Sequence, residues 1–182
     1  MSKKNYLAQF AKSFNWAGFF LPKNVYHDCS KLYAFCRVLD DIVDEKTTLG
    51  SRVERFNEIK NIFKKNYELN KNDRNEFDQN EHTLIIKDMI ILADNNNIKP
   101  VILDDLIEGV ESDLKPRVYF RSVKDLLVYS YRVAGTVGLM MAKILNVNDT
   151  RSLRGAIDLG IAMQLTNIAR DVIEDKKMNR QY

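Results

Sequence analysis

Two short acidic motifs stand out in the 182-residue chain for the chemistry that their spacing allows. In Arg37-Val38-Leu39-Asp40-Asp41-Ile42-Val43-Asp44-Glu45, Asp40 and Asp44 are four residues apart, and Asp171 and Asp175 repeat that spacing in Arg170-Asp171-Val172-Ile173-Glu174-Asp175. On a helix such residues share a face with their Cβ atoms about 6 Å apart, and two unpaired carboxylates there repel each other. A cation between them reverses the sign. The first pair also sits near the C-terminal end of an apolar helical stretch, Leu32–Val43, where the helix dipole disfavours anions. The placement costs stability and so points to function. Gln164, Asn167, Asp171 and Asp175 follow one another at helical spacing and line one stripe of what reads as a single helix. Ile161, Leu165, Ile168 and Val172 form its expected apolar face.

Oxygen ligands in pairs on two separate helices suit a hard divalent cation, above all Mg²⁺, with Mn²⁺ as the alternative. Mg²⁺ binds through few carboxylates and completes its shell with substrate phosphate. Zinc is disfavoured, because His27 and His82 are isolated and Cys29 and Cys36 lack ligand spacing. No loop offers the alternating Asp/Asn ligands of an EF-hand. The bland alternative for either motif alone is a solvated helix end.

The elements that must position these residues read as helices. Apolar residues recur every three or four positions, and no convincing period-2 stretch occurs. The pattern predicts helices over about 5–20, 23–45, 51–66, 81–95, 100–114, 123–146 and 151–177. Ser122 and Thr150 are expected N-caps, Pro22 and Pro100 suit first helical turns, and Gly50 suits a turn after the second helix. Residues 66–81 form a polar, asparagine-rich loop. Hydrophobic residues make up 45% and charged residues 29% of the chain, enough for a buried core and against general disorder. A net charge of +3 is too small to argue for nucleic acid. Two cysteines suit a reducing, cytoplasmic setting and not a disulfide scaffold. The least polar later run, Val133–Leu145, carries Lys143 and is shorter than the roughly 20 residues that span a bilayer.

Beyond the acidic pairs, Leu21-Pro22 and Leu32-Tyr33-Ala34-Phe35-Cys36-Arg37 lead into the first motif. Tyr129-Ser130-Tyr131-Arg132-Val133-Ala134-Gly135-Thr136-Val137-Gly138 and Gln164-Leu165-Thr166-Asn167-Ile168-Ala169-Arg170-Asp171 follow later. With these the sequence resembles the squalene/phytoene synthase family, the head-to-head isoprenyl diphosphate synthases, along essentially its whole length. The Gly138-Leu139-Met140-Met141 continuation looks more like the bacterial phytoene synthases. The resemblance implies an all-α, isoprenoid synthase-type helical bundle around a central cavity, and condensation of two allylic diphosphates. For phytoene, two geranylgeranyl diphosphates join through a cyclopropyl diphosphate. It further implies that Asp40, Asp44, Asn167, Asp171 and Asp175 hold Mg²⁺ against substrate diphosphate, with Gln164 on the same lining stripe. Tyr33, Arg37 and Arg170 match diphosphate-contacting or neighbouring basic positions, and Lys12-Ser13-Phe14 matches an N-terminal signature whose lysine and serine approach diphosphate. Tyr129 matches a tyrosine near the reacting carbons, where an aromatic face can stabilise a passing cation. Gly135 and Gly138 would allow close backbone approach. No NADPH is expected, and no Gly-rich dinucleotide loop is present. Membrane contact is expected to be peripheral and to come from the lipid tail of the substrate.

Several of these residues have plainer readings. Arg37 could pair with Asp41 or Glu45, and Tyr129 could be a core tyrosine. Phe14, Phe19, Phe20, Met140 and Met141 read as core or cavity lining, Cys36 as a small buried hydrophobe, and His27 and His82 as surface residues. The chain departs from the family pattern at Phe10, where many relatives have a polar residue. It also stops at Asn179-Arg180-Gln181-Tyr182, where relatives continue into further helices. The expectation is therefore one domain over 1–182 that represents about the first two-thirds of the family's fold. Close alternatives are a squalene or dehydrosqualene synthase acting on farnesyl diphosphate, a non-catalytic relative serving as an assembly factor, and an inactive fragment.

Overall fold

A computed structural model describes residues 16–68 and 81–182. The expected helix over 5–20 and the expected contacts at Lys12 and Ser13 lie largely or wholly outside these residues, as does most of the expected loop. The described helices are α1 (Lys23–Asp44), α2 (Leu49–Glu68), α3 (Glu81–Asn95), α4 (Pro100–Glu111), α5 (Val123–Ser130), α6 (Thr136–Ile144), α7 (Thr150–Arg170) and α8 (Val172–Lys177). A 3₁₀ turn at Ser112–Leu114 follows α4, and a π-helical turn at Tyr131–Gly135 joins α5 to α6. The all-α class holds, with one small exception. Val118–Tyr119 (β1) and Arg180–Gln181 (β2) pair in parallel, Val118 opposite Arg180 and Tyr119 opposite Gln181.

Periodicity accounts for the core. In α1, Cys29, Leu32, Phe35, Leu39 and Ile42 recur at helical spacing and are buried. They meet Phe56 and Phe63 of α2, Met89 of α3, Leu103 and Leu106 of α4, and Met140 of α6 in one apolar cluster. α1 is thus held along its length, and the acidic pair at its end is set on a rigid support.

Boundaries moved where local hydrogen bonding outweighed periodicity. α2 begins at Leu49, because the Thr48 hydroxyl accepts the Ser51 N–H; Gly50 therefore lies inside the first turn and not in a loop before it. Ser122 caps α5 as expected, accepting the Asp125 N–H at 3.2 Å. For α7 the cap is Asp149, which accepts the Ser152 N–H at 2.8 Å, and Thr150 is the first helical residue. Asn97, Asn146 and Asn179 each take a left-handed φ just beyond a helix. Ile98 and Val147 then donate back to the carbonyls of Ala93 and Ala142, the pattern of a left-handed helix stop. The aromatic expectations divide: Met140 is fully buried, whereas Phe19 and Phe20 are exposed, Phe20 packing edge-on against Trp16. They lie in the turn ahead of α1, outside the apolar cluster. Among the described residues no helix is long and apolar enough to cross a membrane.

Candidate functional site

Asp40 and Asp44 occupy the last two turns of α1, beside the buried Leu39, Ile42 and Val43. Asp40 is exposed at the surface, yet enough protein surrounds it to disfavour its charge. Burial first and Asp44 second push its carboxyl up to about 7, against the pull of Arg37. Arg37 itself pairs with Asp41 at 2.6 Å, so the plain surface pairing is present. Burial also raises the Tyr33 phenol, opposed by Arg37, so Tyr33, Arg37 and Asp40 share one electrostatic neighbourhood.

The second motif is not on one continuous helix. α7 ends at Arg170, and Asp171, with φ −102° and ψ 17°, separates it from α8. The axis bends and is not cut, since the N–H groups of Asp171 and Asp175 still reach the carbonyls of Asn167 and Asp171. Neighbours on a regular helix point about 100° apart. The bend lets Arg170 grip Asp171 with two hydrogen bonds, at 2.7 and 2.6 Å, which holds the Asp171 carboxyl below its usual range. Gln164 and Asn167 are half-buried on α7. The expected apolar face is not enclosed: Ile161, Leu165 and Ile168 are half-buried and Val172 is 59% exposed. α7 packs mainly on the π turn and α6, and Gly160 is its one fully buried residue.

Sequence reasoning missed the cluster that joins the two motifs. Beyond α8, Asn179 turns the chain so that β2 lies along β1, with Val118 donating to the Asn179 carbonyl at 3.1 Å. This carries Arg180 inward. Its side chain is 7% exposed, and the guanidinium sits 2.8 Å from Asp44 and donates to the Val43 carbonyl at 3.4 Å. Burial opposes its charge, but Asp113, Tyr182 and Asp44 outweigh that and raise its pKa. Asp175 is raised by burial and by Asp171 and Asp44, and lowered by Arg180. Asp44 of the first motif and Asp175 of the second therefore act on each other and on one shared arginine.

Next to them Asp113, on the 3₁₀ turn, accepts hydrogen bonds from Tyr129 at 2.8 Å and Tyr182 at 3.0 Å. The two rings stack at 5.0 Å, with Phe120 against both. Tyr129 is buried, and burial followed by Asp113 keeps its phenol protonated. Burial also raises Asp113, against Arg180 and the two tyrosine hydrogen bonds. Asn179-Arg180-Gln181-Tyr182 carried a family signal but no assigned role. Asp113, alone in a connector, gave none.

Among the described residues no three acidic, histidine or cysteine side chains form a ready-made metal centre. The donors come as carboxylate pairs, all oxygen, with an amide beside the second. That set fits Mg²⁺, which takes one or two carboxylates and keeps the rest of its shell for water and phosphate. The cleft between α2 and α4, lined by Lys60, Phe63, Asp104 and Glu108 among others, includes no residue of either acidic motif.

Helices that bring two aspartate motifs, a buried arginine and a buried tyrosine to one region define an all-α fold of the isoprenoid synthase type. The chain belongs to the squalene/phytoene synthase family, whose model matches residues 7–182. It is 37% identical to a 15-cis-phytoene synthase from Paracoccus sp. over 180 residues, covering 97% of this chain and 57% of that protein. A crystal structure of a dehydrosqualene synthase in complex with ligand superposes with a TM-score of 0.70 at 28% identity, over 97% of this chain and 57% of that one. The squalene synthase HpnC from Alicyclobacillus acidocaldarius gives a TM-score of 0.76 at 21% identity, over 96% and 61%. The chain thus spans about three-fifths of the length of the relatives it matches.

Proposed function

We propose that the protein is a head-to-head prenyltransferase that condenses two geranylgeranyl diphosphates to phytoene. The observation that carries this reading is the buried Arg180, bonded to Asp44 of the first motif and within electrostatic reach of Asp175 of the second. A diphosphate departs only if its growing negative charge is stabilised. Asp40 and Asp44 on one wall, and Asn167, Asp171 and Asp175 on the other, would hold Mg²⁺, which supplies Lewis-acid stabilisation of the leaving oxygens. Arg180 and Arg37 are cations on the α1 side, and Arg170 is one beside Asp171. Gln164 lines the same stripe, and Tyr33 stands beside Arg37. Lys12 and Ser13 are assigned to the diphosphate by resemblance alone.

The allylic cation left behind must be kept from water. Tyr129, buried and held by Asp113, offers a fixed ring face to it, with Phe120 and Tyr182 in the same stack. The tyrosine remains a neutral phenol, so it stabilises charge through its ring and does not act as a base.

The likeness to a phytoene synthase at 37% identity favours the C20 substrate, and the likeness to a dehydrosqualene synthase structure favours a second reading with farnesyl diphosphate. Incubation with each diphosphate and Mg²⁺, followed by product analysis, tests both. A C40 product is expected; a C30 product alone replaces the first reading by the second, and no condensation at all removes both.

A further inference from the structure

Arg180 is a permanent charge placed where a metal-binding reading expects a metal. Its side chain is 7% exposed, and its guanidinium is bonded to Asp44, a residue of the first motif. Asp113 acts on it from the 3₁₀ turn, and it in turn acts on Asp175 of the second motif. Asp40 completes the acidic group through its coupling to Asp44 and Asp113. These carboxylates raise one another's cost of ionisation, and the chain sets a counter-charge against Asp44 from β2.

We propose that Arg180 is the resident counter-ion of the metal-free site, and that it exchanges Asp44 for diphosphate oxygens when cation and anion arrive together. This rests on the reading above that the two motifs hold a divalent cation against a diphosphate. The physical reason is the cost of stranding a buried charge. A divalent cation that takes Asp44 by itself displaces a guanidinium with little access to water, and an unpaired buried charge is strongly unfavourable. A cation that brings diphosphate also brings a new partner, because the guanidinium fork matches phosphate as well as carboxylate. Arg180 therefore opposes the cation alone and favours the cation–diphosphate pair, which couples the two ligands' binding. A purely structural arginine would shift both affinities in the same direction.

Isothermal titration of MnCl₂ into wild type, Arg180→Gln and Arg180→Lys, each with and without saturating inorganic diphosphate, reads both signs. Arg180→Gln is expected to bind Mn²⁺ alone at least about fivefold more tightly than wild type, and Mn²⁺ with diphosphate at least about fivefold more weakly. Its melting temperature in EDTA is expected to fall. If Arg180→Gln does not fold, Arg180→Lys, which keeps the charge and loses the fork, should show the same two signs at smaller amplitude. Changes of one sign in both arms, or none in either, overturn the inference. Failure of the wild type to take Mn²⁺ even with diphosphate overturns the diphosphate reading instead, and the diphosphate-free arm still decides the role of Arg180.

Discussion

Replacing Gly138 by alanine tests the contact that sets α7 against the rest of the fold. A Cβ on Gly138 would lie 2.2 Å from the Ala156 carbonyl oxygen, more than an ångström short of ordinary contact, and 3.0 Å from its carbon. Both partners are backbone, so no side-chain rotation relieves the overlap and the two helices must separate. Overpacking of this kind costs about 1–3 kcal/mol, and backbone against backbone belongs at the upper end. Alanine recovers about 1 kcal/mol of helix propensity, which leaves a net loss of about 1–2 kcal/mol. Gly155 is the control. It is exposed on α7 with nothing within 4 Å of its added Cβ, so Gly155→Ala should gain about 1 kcal/mol. For a chain of this size each kcal/mol moves the melting temperature by about 2–4 °C, so the variants should melt about 5–10 °C apart on either side of wild type. Far-UV circular dichroism melts measure this directly. A Gly138→Ala variant melting at or above wild type, or a Gly155→Ala variant melting below it, would refute the close-approach argument.

Asp44→Ala and Asp171→Ala should each abolish Mg²⁺-dependent binding of inorganic diphosphate while leaving the circular dichroism spectrum unchanged; retention of wild-type affinity in both would remove the metal reading. Ser122→Ala deletes the side-chain cap of α5 and should cost about 1 kcal/mol, read as a fall of about 2–4 °C in melting temperature. The Asp40 carboxyl is raised in the folded protein, so the native state holds the extra proton between about pH 4, where the unfolded group titrates, and about 7. Metal-free stability should therefore decline as pH rises through that window, more steeply in wild type than in Asp40→Asn; parallel pH profiles would contradict the assignment.

The helices and their buried faces were legible because periodicity and burial are the same fact seen from two sides, as in Leu32, Phe35, Leu39 and Ile42 of α1. The acidic pairs were legible because like charges at helical spacing conflict with helix stability unless something else uses them. Three things were not. The bend at Asp171 brings the neighbours Arg170 and Asp171 into a side-chain grip, which no periodicity encodes. The exposure of Val172 reflects which elements α7 meets, and an amphipathic pattern predicts an apolar face without naming its partner. Arg180 and Asp113 come together only through the β1–β2 pairing, between residues about sixty positions apart and two residues long on each side, too short to leave an alternating signature.

The π turn explains how one stretch of chain serves both the tyrosine and the glycine contact. In a regular α-helix each residue advances about 100°, and a π turn inserts one extra residue, setting back all that follows by about one such step. The Thr136 N–H bonds to the Tyr131 carbonyl, five residues back, and the Thr136 hydroxyl donates to the Arg132 carbonyl at 2.7 Å. That hydroxyl, wholly buried, fills the acceptor that the wider turn leaves over. Upstream of the turn, Tyr129 faces Asp113; within and after it, Gly135 and Gly138 face α7. A continuous α-helix would bring one of these sets into register at the expense of the other. Thr136→Val keeps the shape and removes the donor, so it should weaken the turn and both contacts together. Loss of stability should then come with altered hydrogen exchange at both the α5 and α6 ends. A change confined to one end would mean that the turn is not what links Tyr129 to the glycine face.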